Sequence, residues 1–466
     1  MTIERKVGMG IAGQPSGGAA DVAEVFSTYL YTGTGATRTI TNGIDLAGEG
    51  GLVWIKGRNQ VYSHQIFDTE RGATQRLEAD GTGGQVAKTN SLTSFNSNGF
   101  SLGSENDVNS GNPYDFASWT FRKKSGFFDC VTYTGNGTTL PYISQAVSHN
   151  LGAVPAMMIV KQTSGSANWV VYHKDIGNTH ELVLNETGGK ADSLIAWNDT
   201  TPTNTVFTVG ADSNTTNKSG QTFVAYLFAD NSSEDAEDQM IKCGSFTGTG
   251  AAGLEVNLGW EPQWVLIKNA SRATGWMMQD TMRGMSHNGW QYLLANDNAA
   301  ESGDTSNRVV PTATGFTVNN NGGNDFGQSG DTLVYMAIRA PMMVEPEAAT
   351  DVFAISPRTA APAPNYVSGF PVDIILATQI NTNANRQVFS RLTNKYVMPN
   401  TNDADAPQGG YDFDLNNGVS RSTGVSAVQY GWMWKRAKGF MDVVCYSGNG
   451  TAGRTVPHSL SVIPEM

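Results

Sequence analysis

The sequence predicts an all-β protein built as a tandem array of β-sandwich (jelly-roll-like) repeats, each of about 100 residues. Composition is the first observation: only 15% of the 466 residues are charged, 53 are Gly, and long tracts are rich in Asn, Thr and Ser. Such a chain favours short strands joined by turns over helices. Two recurring sequence patterns are the other observations, and together they define the repeat.

A glycine-rich block marks the start of each repeat. The blocks are TGTG at Thr32–Gly35, TGNG at Thr134–Gly137, TGTG at Thr247–Gly250 and SGNG at Ser447–Gly450. Their first glycines are 102, 113 and 200 residues apart, and because 200 is two periods we expect a degenerate copy beginning near Asp351. The first three blocks each precede a turn and an apolar strand, at Gly50–Lys56, Val154–Lys161 and Glu261–Lys268, and the degenerate copy has its own at Phe370–Ala377.

An aromatic pair closes each repeat, and its two members are always 19 residues apart. The pairs are Phe100 and Trp119, Phe207 and Tyr226, Phe316 and Tyr335, and Phe413 and Trp432. We expect both members to pack in the core between two sheets. The markers divide the chain into an N-terminal segment (1–22), four repeats (23–125, 126–231, 239–341 and a degenerate 350–438) and the start of a fifth (439–466). Short acidic linkers predict a semi-rigid string in which each repeat contributes its own stability.

The C-terminal residues repeat an earlier junction. The segment Trp432–Gly450 is similar to Trp119–Gly137, so a fifth repeat is expected from Gly439. The sequence then stops at Met466, in the middle of that repeat. We therefore expect either that a longer polypeptide continues beyond this point or that the last piece docks on a neighbour.

Charge and hydropathy exclude several classes of partner. Thirty basic and 42 acidic side chains give a net charge of −12 with no cationic cluster, which argues against nucleic acid. No apolar run is long enough to insert into a membrane, and the N-terminus lacks the apolar core of a secretion signal. We expect Cys130, Cys243 and Cys445 to be reduced, buried strand residues.

The chain offers few groups for catalysis or metal binding. The six histidines are His64, His149, His173, His180, His287 and His458, and none has the spacing of a zinc site. His149 and His458 occupy the same place in two repeats, and we expect turn residues bonded to a backbone carbonyl, with a ligand contact as the alternative.

An acidic and a basic residue recur together. Asp68 and Arg71 in FDTERGAT match Asp280 and Arg283 in QDTMRGMS. We expect ion pairs that stabilise a turn, because the neighbouring Glu70 becomes Met282 and an acid–base mechanism would lose one of its carboxylates.

Two weaker candidates for ligand binding remain. The loop from Asn400 to Asp414 is rich in Asn and Asp; it could hold calcium, although it lacks EF-hand spacing and such loops usually cap turns. Trp169, Trp197 and Trp290 are predicted at exposed tips, where they could stack on a sugar, with core packing as the alternative. We therefore expect no catalytic, cofactor-binding or metal residue and no cofactor, and the sequence names no binding residue.

Two segments carry a resemblance to a known family. Phe26–Ala73 and Val131–Lys161 resemble tandem-repeat structural proteins of tailed bacteriophages, particularly phages of marine bacteria. The resemblance covers residues 23–231 and 439–466 well and the third and fourth repeats more loosely. It implies virion proteins, often labelled tail fibre or tail protein, with concanavalin- or laminin-G-like sandwiches, and it supplies no catalytic residues.

The resemblance implies a non-enzymatic virion protein, a tail fibre or tail-attached appendage used in host attachment. Residues 1–22 would bind tail or adaptor proteins, the distal part would meet a host glycan or receptor, and fibres of this kind imply a homotrimer. The protein would be made in the host cytoplasm and reside in the virion. The alternatives are a capsid-surface fibre or decoration protein, a glycan-degrading tailspike with two carboxylates about 5–9 Å apart, and a bacterial sugar-binding adhesin.

Overall fold

The computed structural model describes residues 22–465 apart from 138–142, 211–214, 233–237, 287–290, 304–306, 321–325, 342–344, 361–362, 381–384, 408–409, 422–428, 447, 449 and 451. The predicted all-β class is confirmed, with 43% strand and 5% helix. The described helices are α1 (Leu46–Glu49), α2 (Asn106–Asn109), α3 (Leu194–Trp197) and 3-10 turns at Val22–Glu24, Thr281–Arg283 and Ala349–Asp351. None of them has the length and apolar character needed to cross a membrane. The expected anchoring segment lies outside the described residues except for Val22.

The first sandwich pairs a six-stranded antiparallel sheet with a three-stranded one. Its strands are β1 (Phe26–Thr32), β2 (Arg38–Thr41), β3 (Gly51–Gly57), β4 (Gln65–Asp68), β5 (Gln75–Glu78), β6 (Val86–Ala87), β7 (Leu92–Asn96), β8 (Gly99–Leu102) and β9 (Asp115–Arg122). The large sheet has the order β1-β9-β3-β4-β5-β6 and the small sheet β2-β8-β7. Apolar side chains from both sheets, among them Val53, Phe116 and Phe100, fill the space between them.

The second and third sandwiches follow the same order. The second contains β10 (Phe128–Thr134), β11 (Gln145–Ser148), β12 (Met157–Gln162), β13 (Trp169–His173), β14 (His180–Val183), β15 (Ala191–Asp192), β16 (Val206–Val209) and β17 (Thr222–Phe228). The third contains β18 (Ile241–Thr247), β19 (Leu254–Asn257), β20 (Pro262–Asn269), β21 (Met277–Asp280), β22 (Gln291–Leu294), β23 (Ser302–Gly303), β24 (Asn307–Thr312), β25 (Gly315–Asn320) and β26 (Thr332–Arg339). Their large sheets are β10-β17-β12-β13-β14-β15 and β18-β26-β20-β21-β22-β23.

The fourth sandwich has the same large-sheet order again. It contains β27 (Phe353–Pro357), β28 (Tyr366–Val367), β29 (Ile374–Gln379), β30 (Gln387–Ser390), β31 (Lys395–Val397), β32 (Ala406–Pro407), β33 (Tyr411–Asp412), β34 (Gly418–Arg421) and β35 (Gln429–Trp434). The large sheet runs β27-β35-β29-β30-β31-β32 and the small sheet β28-β34-β33. Strand order and cross-strand register therefore identify equivalent positions in all four large sheets.

One turn requires the same backbone conformation in every sandwich. The fourth strand of each large sheet leads into a turn with a positive φ at Gly72 (88°), Gly177 (80°), Gly284 (89°) and Asn394 (49°). Gly and Asn are the residues that adopt this left-handed conformation at the lowest cost. The fourth sandwich thus has the same turn conformation with Asn394 in place of Gly.

The first three large sheets pack their outer faces against one another. The Phe121 ring lies 4.9 Å from Phe26 of its own sheet, 5.6 Å from Phe228 of the second and 6.0 Å from Trp264 of the third. One continuous core holds buried residues from all three sheets. The expected string of separately stabilised repeats is therefore wrong for residues 22–341, because both faces of each large sheet are apolar and the outer faces must also be buried.

Three equivalent lysines close this arrangement into a ring. Lys161 donates to the carbonyl of Thr82 in the first sandwich at 2.7 Å, and Lys268 donates to Thr187 in the second at 3.0 Å. Lys56 donates to Asn298 in the third at 3.2 Å, so each sandwich reaches one neighbour and the cycle is complete. Burial lowers the pKa of each of these lysines to about 8.

The fourth sandwich joins the ring through polar contacts at one end. Arg58 of the first sandwich binds Glu301 of the third at 2.7 Å and Asp414 of the fourth at 2.6 Å. Arg436 binds Glu261 of the third sandwich at 2.9 Å. These contacts leave the outer face of the fourth large sheet open.

That outer face is apolar but only partly covered. Cross-strand neighbours Ile355, Trp432, Leu376, Val388 and Val397 form one row across it. Ile355 is 54% exposed and Val397 is 47% exposed, and the three central residues are half-buried. The equivalent rows of the first three sheets are buried, and all their members except Thr28 belong to the common core.

Some members of the aromatic pairs do not pack between the two sheets of their sandwich, as expected, but lie on the outer face of the large sheet. Phe100 packs between the sheets as predicted, but Trp119 lies on the outer face and is buried in the common core. Tyr226 and Trp432 occupy the equivalent outer position, whereas Tyr335 points inward. In the third sheet Met336 takes the outer position. Tyr335, which lies 19 residues after Phe316, is the residue before it in the strand and therefore faces the other side of the sheet.

Candidate functional site

The recurring Asp–Arg pairs are buried ion pairs, as the sequence predicts. Arg283 Nε lies 2.6 Å from Asp280 Oδ2, and both side chains are fully buried. Arg71 Nε lies 2.5 Å from Asp68 Oδ2 in the same arrangement. Each carboxylate also accepts the backbone N–H of its arginine, which closes the turn.

These pairs also join the sandwiches to each other, which their three-residue spacing does not predict. Tyr226 of the second sandwich donates its hydroxyl to Asp68 at 2.7 Å. Trp119 of the first donates its indole N–H to Asp280 at 3.0 Å. In the second sandwich His173 replaces the aspartate, and its Nε2 lies 3.2 Å from the Tyr335 carbonyl of the third. Each aspartate is therefore held from two sides, by the arginine of its own turn and by an aromatic side chain of a neighbouring sandwich.

Two of the remaining histidines make hydrogen bonds within their own turns. His149 Nε2 lies 3.2 Å from the Thr203 carbonyl, as expected, and its Nδ1 accepts the Leu151 N–H. His458 Nδ1 accepts the Leu460 N–H in the same way. Burial holds the pKa of His64 well below its usual value. His287 lies outside the described residues.

The three thiols are free, but their positions differ from the expectation in one case. Cys130 and Cys243 are buried strand residues. Cys445 is only half-buried and lies outside any strand, so its expected strand placement is wrong. Burial raises the pKa of all three thiols, which keeps them in the unreactive protonated form.

The predicted exposed aromatics are not at exposed tips. Trp169 and Trp197 are fully buried, and Trp290 lies outside the described residues. The Trp169 indole donates to the Glu78 carbonyl of the first sandwich at 2.9 Å, and Trp276 makes the equivalent bond to Val183 at the next junction. Trp169 and Trp276 are therefore core residues that also join neighbouring sandwiches, whereas Trp197 donates to the His180 carbonyl of its own sandwich.

Three carboxylates of the Asn- and Asp-rich loop are engaged by protein groups. Asp405 pairs with Lys395, Asp414 pairs with Arg58, and Asp412 accepts the Asp414 N–H. Within the described ranges, no group of three His, Cys, Asp or Glu side chains is placed to hold a metal ion.

The strongest candidate site is a pocket at one end of the fourth sandwich, between its two sheets. It has a volume of about 250 Å³. Its polar lining includes Thr378, Gln387, Asn385, Arg421 and Gln429. Of the described residues that line it, none is an Asp or a Glu.

In the first three sandwiches, aliphatic and aromatic side chains occupy the positions equivalent to this pocket. Arg421 stands where the first three sandwiches have Leu102, Val209 and Val318. Gln429 stands where they have Phe116, Phe223 and Leu333. Arg358, which follows β27 and bonds to the Gln429 carbonyl, stands where they have Tyr31, Tyr133 and Phe246. At three neighbouring inward positions the fourth sandwich thus has Arg or Gln where the first three have aliphatic or aromatic residues.

Hydrogen-bond donors converge on one oxygen at the base of the pocket. Gln429 Oε1 accepts from Arg421 at 3.1 Å, from Arg358 at 3.2 Å and from the Tyr366 hydroxyl at 3.1 Å. A carbonyl oxygen has two lone pairs, so donors exceed acceptors here. The Arg421 guanidinium also lies 5.0 Å above the Tyr411 ring, and its buried Nε has no hydrogen-bond partner. The base of the pocket is therefore rich in donors and positively charged.

Comparison with known proteins gives one match. A family profile described as a domain of unknown function (DUF7483) matches residues 21–341, which is the ring of three sandwiches and ends before the fourth. Searches of curated proteins and of solved structures each returned no match. Because the profile covers more than half of the 466 residues, the chain belongs to the DUF7483 family.

Proposed function

We propose that the protein is a non-enzymatic structural component of a bacteriophage particle, a tail fibre or tail-attached appendage used in host attachment. One observation carries the non-enzymatic part: Asp68 and Asp280, the recurring carboxylates, are buried in ion pairs that join sandwiches. A glycosidase needs two carboxylates facing a cleft, and these two face protein on every side. The sequence resemblance supports the viral part.

We propose further that the four sandwiches are tandem copies of one jelly-roll-like unit, with the boundaries given above. The shared strand order of the large sheets supports this. The start of a fifth copy has support of its own, since Gly439 donates to the Leu460 carbonyl as Gly126 does to Leu151. Asp442 accepts the Ser459 N–H at 2.8 Å, much as Asp129 accepts that of Asn150.

The oligomer we propose is a homotrimer assembled through the outer face of the fourth large sheet. The row from Ile355 through Trp432 to Val397 corresponds to rows that pack three together in the ring. Two further copies of this chain would supply the two missing sheets. Light scattering on the full chain should give three times its mass.

A matched pair of variants tests this surface. Leu376→Ser with Trp432→Ser should give monomers. Val61→Ser, which changes a side chain that is 66% exposed in the first sandwich, should leave the trimer intact. A monomeric native chain would contradict the proposal, and so would a trimer that survives the double variant.

The location in the particle can be tested by immunogold electron microscopy with an antibody against residues 126–230. We expect label on tail appendages, and protein lacking residues 1–22 should fold but be absent from particles. Label over the head would identify a capsid fibre or decoration protein instead. Absence of the antigen from dissociated particles would overturn the virion proposal.

A further inference from the structure

We propose that the pocket of the fourth sandwich binds a carboxylate-bearing sugar residue. The inference names a ligand class for host attachment and in that sense rests on the proposed function. Binding itself, however, is a property of the isolated protein. It can therefore fail or succeed independently of where the protein lies in a particle.

The interior position of the polar groups is the first step of the argument. A β-sandwich interior is stabilised by apolar burial, and the other three sandwiches fill these places with residues such as Leu102 and Phe116. Replacing them with Arg421 and Gln429 forfeits that burial and opens a pocket of about 250 Å³. A fold under selection for stability alone would keep apolar side chains here, so a ligand is the better explanation.

The charge of the pocket is the second step. Among the ion pairs of the described residues, none joins Arg421 to a carboxylate. The arginines at the interfaces between sandwiches, such as Arg283 and Arg436, do pair with carboxylates. Its guanidinium bonds instead to Gln429 Oε1 and, at 3.3 Å, to the Tyr411 hydroxyl. Guanidinium groups bind carboxylates through parallel, charge-assisted hydrogen bonds. In a chain with a net charge of −12, a donor-rich pocket of this kind selects an anion.

The rest of the lining indicates what carries the anion. Thr378, Asn385 and Gln387 present hydroxyl and amide groups, which can donate to and accept from sugar hydroxyls. Ala377 and Met398 add an apolar patch suited to the C–H groups of a sugar ring. The volume lies below the roughly 300–1,000 Å³ of pockets for drug-sized ligands, which fits one sugar ring.

Isothermal titration of the full chain with D-glucuronic acid, N-acetylneuraminic acid, D-glucose and acetate tests the ligand class. We expect at least one acidic sugar to bind and glucose and acetate to bind far more weakly. No binding of either acidic sugar at about 10 mM would overturn the proposal. Equal binding of glucose would refute the role of the carboxylate. Equal binding of acetate would identify a simple anion site and refute the sugar.

Two variants connect binding to the pocket. Arg421→Leu, which installs the residue of the first sandwich, should weaken binding roughly ten- to a hundredfold through loss of charge-assisted bonds. Arg386→Leu is the matched control, since Arg386 lies in the same sandwich but does not line the pocket, and its affinity should equal that of the native chain. Full affinity in a folded Arg421→Leu protein would overturn the site. Particle labelling decides the proposed function separately.

Discussion

The ring of three sandwiches and the fourth sandwich have the same large-sheet strand order, yet they differ in which sheet faces are buried and in the polarity of the interior. In the ring, both faces of each large sheet are apolar and covered. In the fourth sandwich, the outer row from Ile355 to Val397 is partly exposed and one end of the interior is polar. Topology is therefore not what separates the two regions. The two regions differ in which sheet faces are covered and in whether the residues at one end of the interior are apolar or polar.

The centre of the ring should be the most sensitive place in the molecule. Phe121→Ala removes a ring that contacts all three sheets and should lower the free energy of unfolding by about 4 kcal/mol. Trp434→Ala changes the equivalent, half-buried position of the fourth sheet and should cost less than half as much. Denaturant unfolding measures both. Equal losses would mean that the fourth outer face is as fully packed as the ring.

The buried ion pairs should come next. Asp280→Asn leaves the buried Arg283 guanidinium with Glu301 as its remaining carboxylate partner, and we expect a loss of about 3 kcal/mol. The control is Glu70→Gln, which weakens a partly exposed pair with Lys123 and should cost less than about 1 kcal/mol. Chemical denaturation of both variants at pH 7 gives the comparison. Similar losses would show that Asp280 contributes no more than a surface pair.

Acid should weaken the junction between the second and third sandwiches. Burial beside Tyr335 lowers the pKa of His173 to about 4, despite the nearby carboxylates of Asp175 and Asp230. Between pH 6.5 and pH 4 the unfolded chain therefore binds a proton that the folded chain does not, so stability falls as the pH falls through this window. From pH 7 to pH 5 this residue should account for about 2 kcal/mol.

The His173→Gln variant isolates that contribution, because glutamine can donate to the same carbonyl without titrating. Its unfolding free energy should change less between pH 7 and pH 5 than that of the native chain. Identical pH profiles would show that His173 is protonated equally in both states.

The smallest stability effect should come from the pocket. Arg421→Leu restores the residue type of the other sandwiches, and we expect its unfolding free energy to stay within about 1 kcal/mol of the native value. Thermal unfolding of the Arg421→Leu chain is the measurement. A large loss would assign Arg421 a mainly structural role and remove the contrast between the fourth sandwich and the ring.

Local patterns predicted local features well. The spacing of Asp68 and Arg71, repeated at Asp280 and Arg283, predicted turn-closing ion pairs, which depend only on residues three apart. Predictions about exposure failed: Trp169 and Trp197 were expected at surface tips and are core residues. An aromatic residue beside Asn and Asp looks the same in sequence whether or not a neighbouring sheet covers it.

The sequence by itself determined the all-β class and the closing turns, because short-range spacing and backbone preference act within a few residues. Only the tertiary structure decided that three sheets share a core, that Lys56, Lys161 and Lys268 close a ring, and that Arg421 and Gln429 meet in a pocket. These arrangements join residues far apart in the chain. A strand that is apolar on both faces must be covered twice, and the sequence does not say what covers it.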